Sequence, residues 1–426
     1  MDVHIPYGNT RRIVQVPEHT VVLRSQHSSP LPDERLTFQQ ALRQPIGNLS
    51  LAKRVQPHDR IAIVISDITR PTPNERIVPW ILDELSFIPR SQFIIINGTG
   101  SHRANTRDEL CQMLGDEIVE TVEIANHDAF DEQTLVYLGE SASGSPVWIN
   151  QHYIEADFRI VTGFIEPHFF AGFSGGAKGI VPGIAGIATI QHLHSAPLIG
   201  DTQATWAVLQ ENPIHRGIQD AVSLCPPEFM VNVTLDQERH ITGVFAGDYI
   251  KAHYEGCTAV ARLSTQEVES PFDIVITSNN GYPLDQNLYQ SVKGMTAAAQ
   301  ITRQGGTIVT IAECRDGLPD HGNYKSLLQM GESPANLLEL IHHPGFQMHD
   351  QWQVQKQAQV QLQANVYLHS SLPEGVVQAA QLLPAPDLQG TIDTLLQKYG
   401  PQARVAILPE GPVMVPYIKE PNASLA

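Results

Sequence analysis

The chain has 426 residues, 42% hydrophobic and 17% charged, which supplies material for a buried core and excludes global disorder. Its 27 Lys and Arg stand against 45 Asp and Glu, a net charge of −18, so the surface repels phosphate backbones and anionic lipid. Nucleic acid and membranes are therefore not expected partners, and an anionic substrate needs a local cationic pocket.

At roughly 150 residues per domain, the length predicts two to three domains. No run approaches the roughly 18 apolar residues of a membrane span. The start, Met1-Asp-Val-His-Ile-Pro-Tyr7, lacks the basic and apolar regions of a signal peptide. Cys111, Cys225, Cys257 and Cys314 are scattered without a CxxC pair, as reduced thiols are. A cytoplasmic enzyme is expected.

Continuous β-rich apolar runs occur at 60–66, 93–97, 158–163, 272–277, 307–311 and 404–408. Lack of alternation predicts strands covered on both faces, as in parallel sheets. Helix-like segments at 74–85, 106–113 and 285–299 lie between them, giving an α/β class with ligands beyond the strand carboxyl ends. A boundary at Ser270-Pro271 predicts an N-terminal α/β domain over 1–269 and a C-terminal one over 270–394. The last segment, about 395–426, could belong to either or return to the first. The Gln-rich stretch 351–363 reads as an amphipathic helix rather than low complexity.

Polar residues cluster after the strands. Asp67-Ile68-Thr69-Arg70-Pro71 follows the first, Gly98-Thr-Gly-Ser-His102-Arg103 the second, and Glu166-Pro-His168 then Ser174-Gly175-Gly176-Ala177-Lys178 the third, with His192 and His194 beyond. Gly98 to Arg103 lacks the third glycine of a dinucleotide fingerprint and lies far from the first strand. Ser174 to Lys178 is not a P-loop, but its glycines let backbone N–H groups approach a phosphate; a plain glycine turn is the alternative. His102, His168 and His194 are each explicable as hydrogen-bonded structural residues, yet together they suit metal ligation or general base chemistry. Arg70 offers a planar fork for a carboxylate or a bridge to Asp67. Tyr289, Gln290 and Lys293 fall within one helical segment, where Gln290 and Lys293 share a face. Trp352 is either pocket wall or core.

These motifs, in this order and across nearly the whole length, resemble the nickel-pincer lactate racemase family. The most specific part is Glu166-Pro-His-Phe-Phe-Ala-Gly-Phe-Ser-Gly-Gly-Ala-Lys178. The resemblance implies two α/β domains with the active site in the cleft between them. It implies a nickel-pincer nucleotide, a nicotinic-acid-derived mononucleotide with two thiocarbonyl arms, held covalently by Lys178. It further implies His194 as nickel ligand; Asp67, Ile68, Thr69, Arg70, Ser174, Gly175 and Gly176 against the cofactor; and His102 and His168 as acid/base groups. Arg70, Tyr289, Gln290, Lys293 and Trp352 then meet the substrate. The implied reaction inverts C2 of a 2-hydroxy acid by hydride transfer, which avoids removing a weakly acidic α-proton; one base serves each enantiomer.

The family's relatives act on lactate, malate, longer 2-hydroxy acids and sugar acids, so racemisation or aldonate 2-epimerisation is expected without a fixed substrate. Maturation proteins are implied partners, and without them the chain should fold as an inactive apoprotein. Ala177 occupies a variable position. His192, if that segment is extended, points away from His194. Two other classes remain: a zinc hydrolase using His102, His168 and His194, and a non-catalytic carboxylate-binding protein.

Overall fold

The computed structural model describes residues 1–419 except 27, 320 and 321. It is an α/β protein built on two six-stranded sheets. The first sheet runs, edge to edge, Ile241–Gly247, Phe229–Leu235, Phe158–Phe164, Ile61–Ser66, Phe93–Gly98 and Glu123–Asn126. All its pairings are parallel except that of Phe229–Leu235 with Ile241–Gly247. Its central strands Ile61–Ser66, Phe93–Gly98 and Phe158–Phe164 are largely apolar because both faces are covered. Ala62, Val64, Ile94 and Ile96 enter one core cluster, while the intervening Ile61, Ile63, Ile65 and Ile95 enter another. Fully burying one such side chain is worth about 1.5–3 kcal/mol, so a polar residue on either face would be costly.

The second sheet runs Leu383–Pro384, Ala364–His369, Thr302–Ile311, Phe272–Ser278, Val405–Leu408 and Val21–Val22, and is wholly parallel. Here the domain expectation needs correction at the N-terminus, and its open C-terminal segment divides. In the C-terminal segment left open, Val405–Leu408 joins the second sheet, while Val415–Ile418 pairs in parallel with Thr265–Val268. Residues 1–23 also lie with the second sheet: the hairpin Asp2–Tyr7/Thr10–Gln15 turns Val3, Ile5, Tyr7 and Val14 onto Ile274, Ile276, Val309 and Ile407. The helix Leu388–Tyr399 covers the rest of that face, so the chain's first residues close a core that begins at position 272.

The expected helices are present at Asn74–Glu84, Arg107–Leu114 and Leu288–Ala299. Thr106 caps the second through a reciprocal box with Glu109. Residues 285–287 precede the third, because Asn287 is its N-cap and Asp285 accepts from the backbone N–H groups of Gly8 and Glu313.

Gln351–Gln363 is a helix but not an amphipathic one. Glutamine at every second position advances about 200° per step and so reaches all sides. Gln355 donates to Ala196 O, Gln357 to Ala380 O and Gln363 to Ala299 O, satisfying carbonyls around a helix enclosed by protein. Among the described residues no helix is long and apolar enough to cross a membrane.

In each sheet the strand order reverses once. The reversal lies between Ile61–Ser66 and Phe158–Phe164 in the first, and between Phe272–Ser278 and Val405–Leu408 in the second. Ligands of doubly wound sheets bind outside the carboxyl ends of the strands at such points. The two lobes meet there.

Candidate active site

Asp67 to Arg70 leave the end of Ile61–Ser66, and Glu166 to His168 leave the end of Phe158–Phe164, so one topological switch supplies both motifs. Asp67 is 3% exposed. It does not bridge to Arg70. Its Oδ2 meets His102 Nδ1 at 2.8 Å, and Thr69 Oγ1 donates to its Oδ1 at 2.7 Å. Burial would raise this carboxyl, but the hydrogen bond and charge of His102, helped by Arg70 and Thr69, hold it below the ordinary value. His102 itself is exposed, with Nε2 left for the cleft. Ile68 is partly buried against the first lobe's core.

His168 is buried and accepts at Nδ1 from the Ala171 N–H at 3.3 Å. Burial, then the charges of Lys178, Lys293 and Arg70, push it well below the usual imidazole range. His194 ends the helix Ile187–Leu193, where its Nδ1–H donates to Ile190 O at 2.7 Å and leaves Nε2 as a lone pair. Burial lowers it to about 4. Its ring lies 4.8 Å from Trp352 and 5.2 Å from Phe170, centroid to centroid. The segment is helical, not extended, so His192 leaves on another side because two residues turn a helix about 200°.

Ser174 Oγ donates to Phe164 O and accepts from the Glu166 N–H, both at 2.9 Å, which folds the loop back onto its strand. Gly175 and Gly176 take φ of +78° and +56°, a region that disfavours L side chains. A Cβ on Gly175 would lie 2.5 Å from Asn232 Oδ1, and one on Gly176 2.6 Å from the His253 ring. Both positions therefore require glycine. Lys178 follows, half-buried, its Nζ 5.7 Å from the Phe170 ring centroid. Enclosure lowers its amine to about 7; Arg70 and Lys293 push the same way and Glu166 opposes.

The second lobe contributes from the helix Leu288–Ala299 and from 349–352. Burial and Arg70 lower Lys293 to about 8, against Glu166. Trp352 is 6% exposed, and its Nε1–H donates to Tyr289 Oη at 3.2 Å. Burial pushes the Tyr289 phenol up, so it stays protonated. Gln290 is half-buried on the same helix, its backbone N–H capped by Asn287 Oδ1 at 3.0 Å. His349 crosses the cleft to Ser101 Oγ at 3.1 Å, and Lys356 Nζ reaches Ala204 O at 2.9 Å.

The site thus gathers three cations, Arg70, Lys178 and Lys293, around Glu166. Burial raises the Glu166 carboxyl and the cations draw it back. Such a pocket, within a chain of net charge −18, can take a carboxylate, with imidazoles beside it for proton transfer. Sequence reading passed over Asn232 and His253 under the glycine turn, His349 at the mouth, and any role for Glu166. A polar Asn within the buried run Phe229-Met-Val-Asn232 was a usable signal; His253, on an ordinary helix, offered none.

Two family models match: the lactate racemase N-terminal domain over residues 7–207 and the lactate racemase C-terminal domain over 267–415. The chain is 38% identical to the lactate racemase of Thermoanaerobacterium thermosaccharolyticum over 358 residues, covering 82% of this chain and 84% of that protein. It is 37% identical to the lactate racemase of Lactiplantibacillus plantarum over 381 residues, covering 89% and 90%. The solved lactate racemase apoprotein from T. thermosaccharolyticum superposes with a TM-score of 0.91 at 34% identity, covering 99% of this chain and all (100%) of that one. A Thermotoga maritima protein at 18% identity and TM-score 0.70, covering 92% of this chain and 100% of that one, shares the fold. The chain belongs to the lactate racemase family of isomerases.

Proposed function

We propose that the protein inverts C2 of a 2-hydroxy carboxylic acid, with lactate the leading candidate, using a nickel-pincer nucleotide tethered to Lys178. The observation that carries this reading is the convergence, at two facing switch points, of Lys178 on its glycine-only turn with Arg70, Lys293, His168 and His194. The residues fit the cofactor. Gly175 and Gly176 let the turn that carries Lys178 pack directly onto Asn232 and His253, where any Cβ would clash. A Lys178 amine lowered to about 7 has a substantial neutral, nucleophilic fraction at neutral pH. His194, its Nδ1–H fixed on a carbonyl, presents Nε2 as metal-bound histidines do.

When bound, that group supplies reversible hydride acceptance. The chain's own residues do the rest. Arg70 and Lys293 hold the substrate carboxylate, with Gln290, Tyr289 and Trp352 around it. Ser174 and Thr69 fix the loops on which Lys178 and Asp67 sit. His102, oriented by Asp67, takes the hydroxyl proton of one enantiomer at Nε2, and His168 serves the other. The aromatic wall of Phe170, Trp352 and Tyr289 keeps water away from the oxo-acid stage.

A zinc hydrolase is disfavoured by geometry. Among the described residues, the histidine, cysteine and carboxylate group with ligand atoms within 4.8 Å of one another is Asp236, Glu238 and His240, not His102, His168 and His194. The test is to co-produce the chain with cofactor maturation proteins and screen chiral lactate, malate, longer 2-hydroxy acids and aldonates for optical inversion. Inversion slowed by deuterium at C2 supports the reading. Hydrolysis of an ester or amide without inversion would overturn it.

A further inference from the structure

The turn that carries Lys178 is clamped from below by two side chains outside the reacting groups. Asn232, in the middle of the strand Phe229–Leu235, accepts from the Gly176 N–H at Oδ1, 2.7 Å. His253, on the helix Lys251–Ser264, meets Ser174 O with Nε2 at 2.8 Å. Both are buried, at 0% and 1% exposure. The carbonyl accepts, so Nε2 carries the hydrogen and Nδ1 is a bare acceptor. That Nδ1 is buried and has no partner. An unsatisfied buried acceptor costs about 1–3 kcal/mol, which a leucine filling the same space would avoid. What the imidazole offers and leucine cannot is the Nε2–H donor, held at the end of a flat ring that fits beneath Gly176. Beside it, the His215 ring stacks at 6.2 Å and Cys257 Sγ lies 3.4 Å from Nε2, so the ring cannot swing away.

We propose that His253 and Asn232 are positioning residues for the Lys178 amine. They grip the Ser174 carbonyl and the Gly176 N–H on either side of Gly175, so that the chain direction at Lys178 is fixed before any cofactor arrives. The claim deepens the tether reading and rests on it for its purpose, but the clamp itself is testable in the apoprotein. Arg70, Lys293 and Glu166 face the amine as charges, and His168, His194, His215 and His253 as neutral imidazoles. Only a fixed turn keeps the amine among them.

The test uses full-length apoprotein labelled briefly with an acetylating reagent across a pH series, with Lys178 followed by peptide mass and the exposed Lys398 as reference. In the wild type, Lys178 labelling should have its midpoint near pH 7. In His253→Leu the midpoint should rise by about one unit or more, toward an ordinary lysine. His253→Gln, whose side-chain amide can return the donor, should restore it at unchanged melting temperature. Co-produced with maturation proteins, His253→Leu should lose about tenfold or more of the Lys178 adduct, the scale of losses at residues that orient ligands. Should His253→Leu not fold, Asn232→Ala must show the same shift. Unchanged midpoints in the folded variants, or no recovery with glutamine, would overturn the clamp. A wild type that never gains mass on Lys178 would instead overturn the tether reading, while the midpoints still decide the clamp.

Discussion

His102 and His168 are assigned the same work but are built in opposite surroundings. His102 stands at the surface with a side chain 45% exposed, its Nδ1 on a buried carboxylate that holds the ring. His168 is buried, receives a backbone N–H at Nδ1, and faces Lys178, Lys293 and Arg70, all of which disfavour its charge. On the proposed function, the two enantiomers would therefore meet unequal bases. One is an exposed ring oriented by a carboxylate; the other is enclosed and kept neutral until a substrate carboxylate offsets the cations around it.

The largest test breaks both sides at once. Lys178→Ala and His194→Ala should each remove inversion of both enantiomers by at least about 10⁴-fold, measured as optical rotation with parallel nickel analysis. Retained activity in either variant would remove its assigned role. Next, His102→Ala and His168→Ala should each lower turnover by about 10²–10⁴-fold while leaving the nickel content unchanged. Asp67→Asn separates the two bases. It should cost about 10- to 100-fold through His102 orientation, and in NMR spectra at fixed pH it should shift the His102 ring resonances while leaving those of His168 in place. His168 should stay neutral through the acid range in which exposed imidazoles protonate.

The smallest effect sharpens the comparison through pH. Lys293 is lowered to about 8, so its charge is present below that pH and lost above it. KM for a 2-hydroxy acid should therefore rise above pH 8, at most about tenfold per unit, while kcat changes less. Lys293→Arg, which stays charged, should flatten that rise.

Much of this was readable from residues alone, for identifiable reasons. Continuous apolar runs such as 60–66 and 93–97 can only be strands buried on both faces, and the motifs that follow them fall at strand ends, where switch points form. What was not readable depends on contacts distant in sequence. Nothing local in Met1 to Val22 says that it covers a core begun at Phe272. The glutamines of 351–363 carry no period that distinguishes a solvated face from a helix buried along most of its length. The Asp67–His102 pair joins two loops whose adjacency comes only from sheet order. His253 reaches Ser174 across 79 positions, and its helix bears no mark of that task.

The most direct measurement is the mass of the Lys178-containing peptide from a preparation that actively inverts a 2-hydroxy acid. The account predicts that this peptide carries a nucleotide adduct in proportion to activity, and that Lys178→Ala carries none. An active preparation whose Lys178 peptide is wholly unmodified would contradict it.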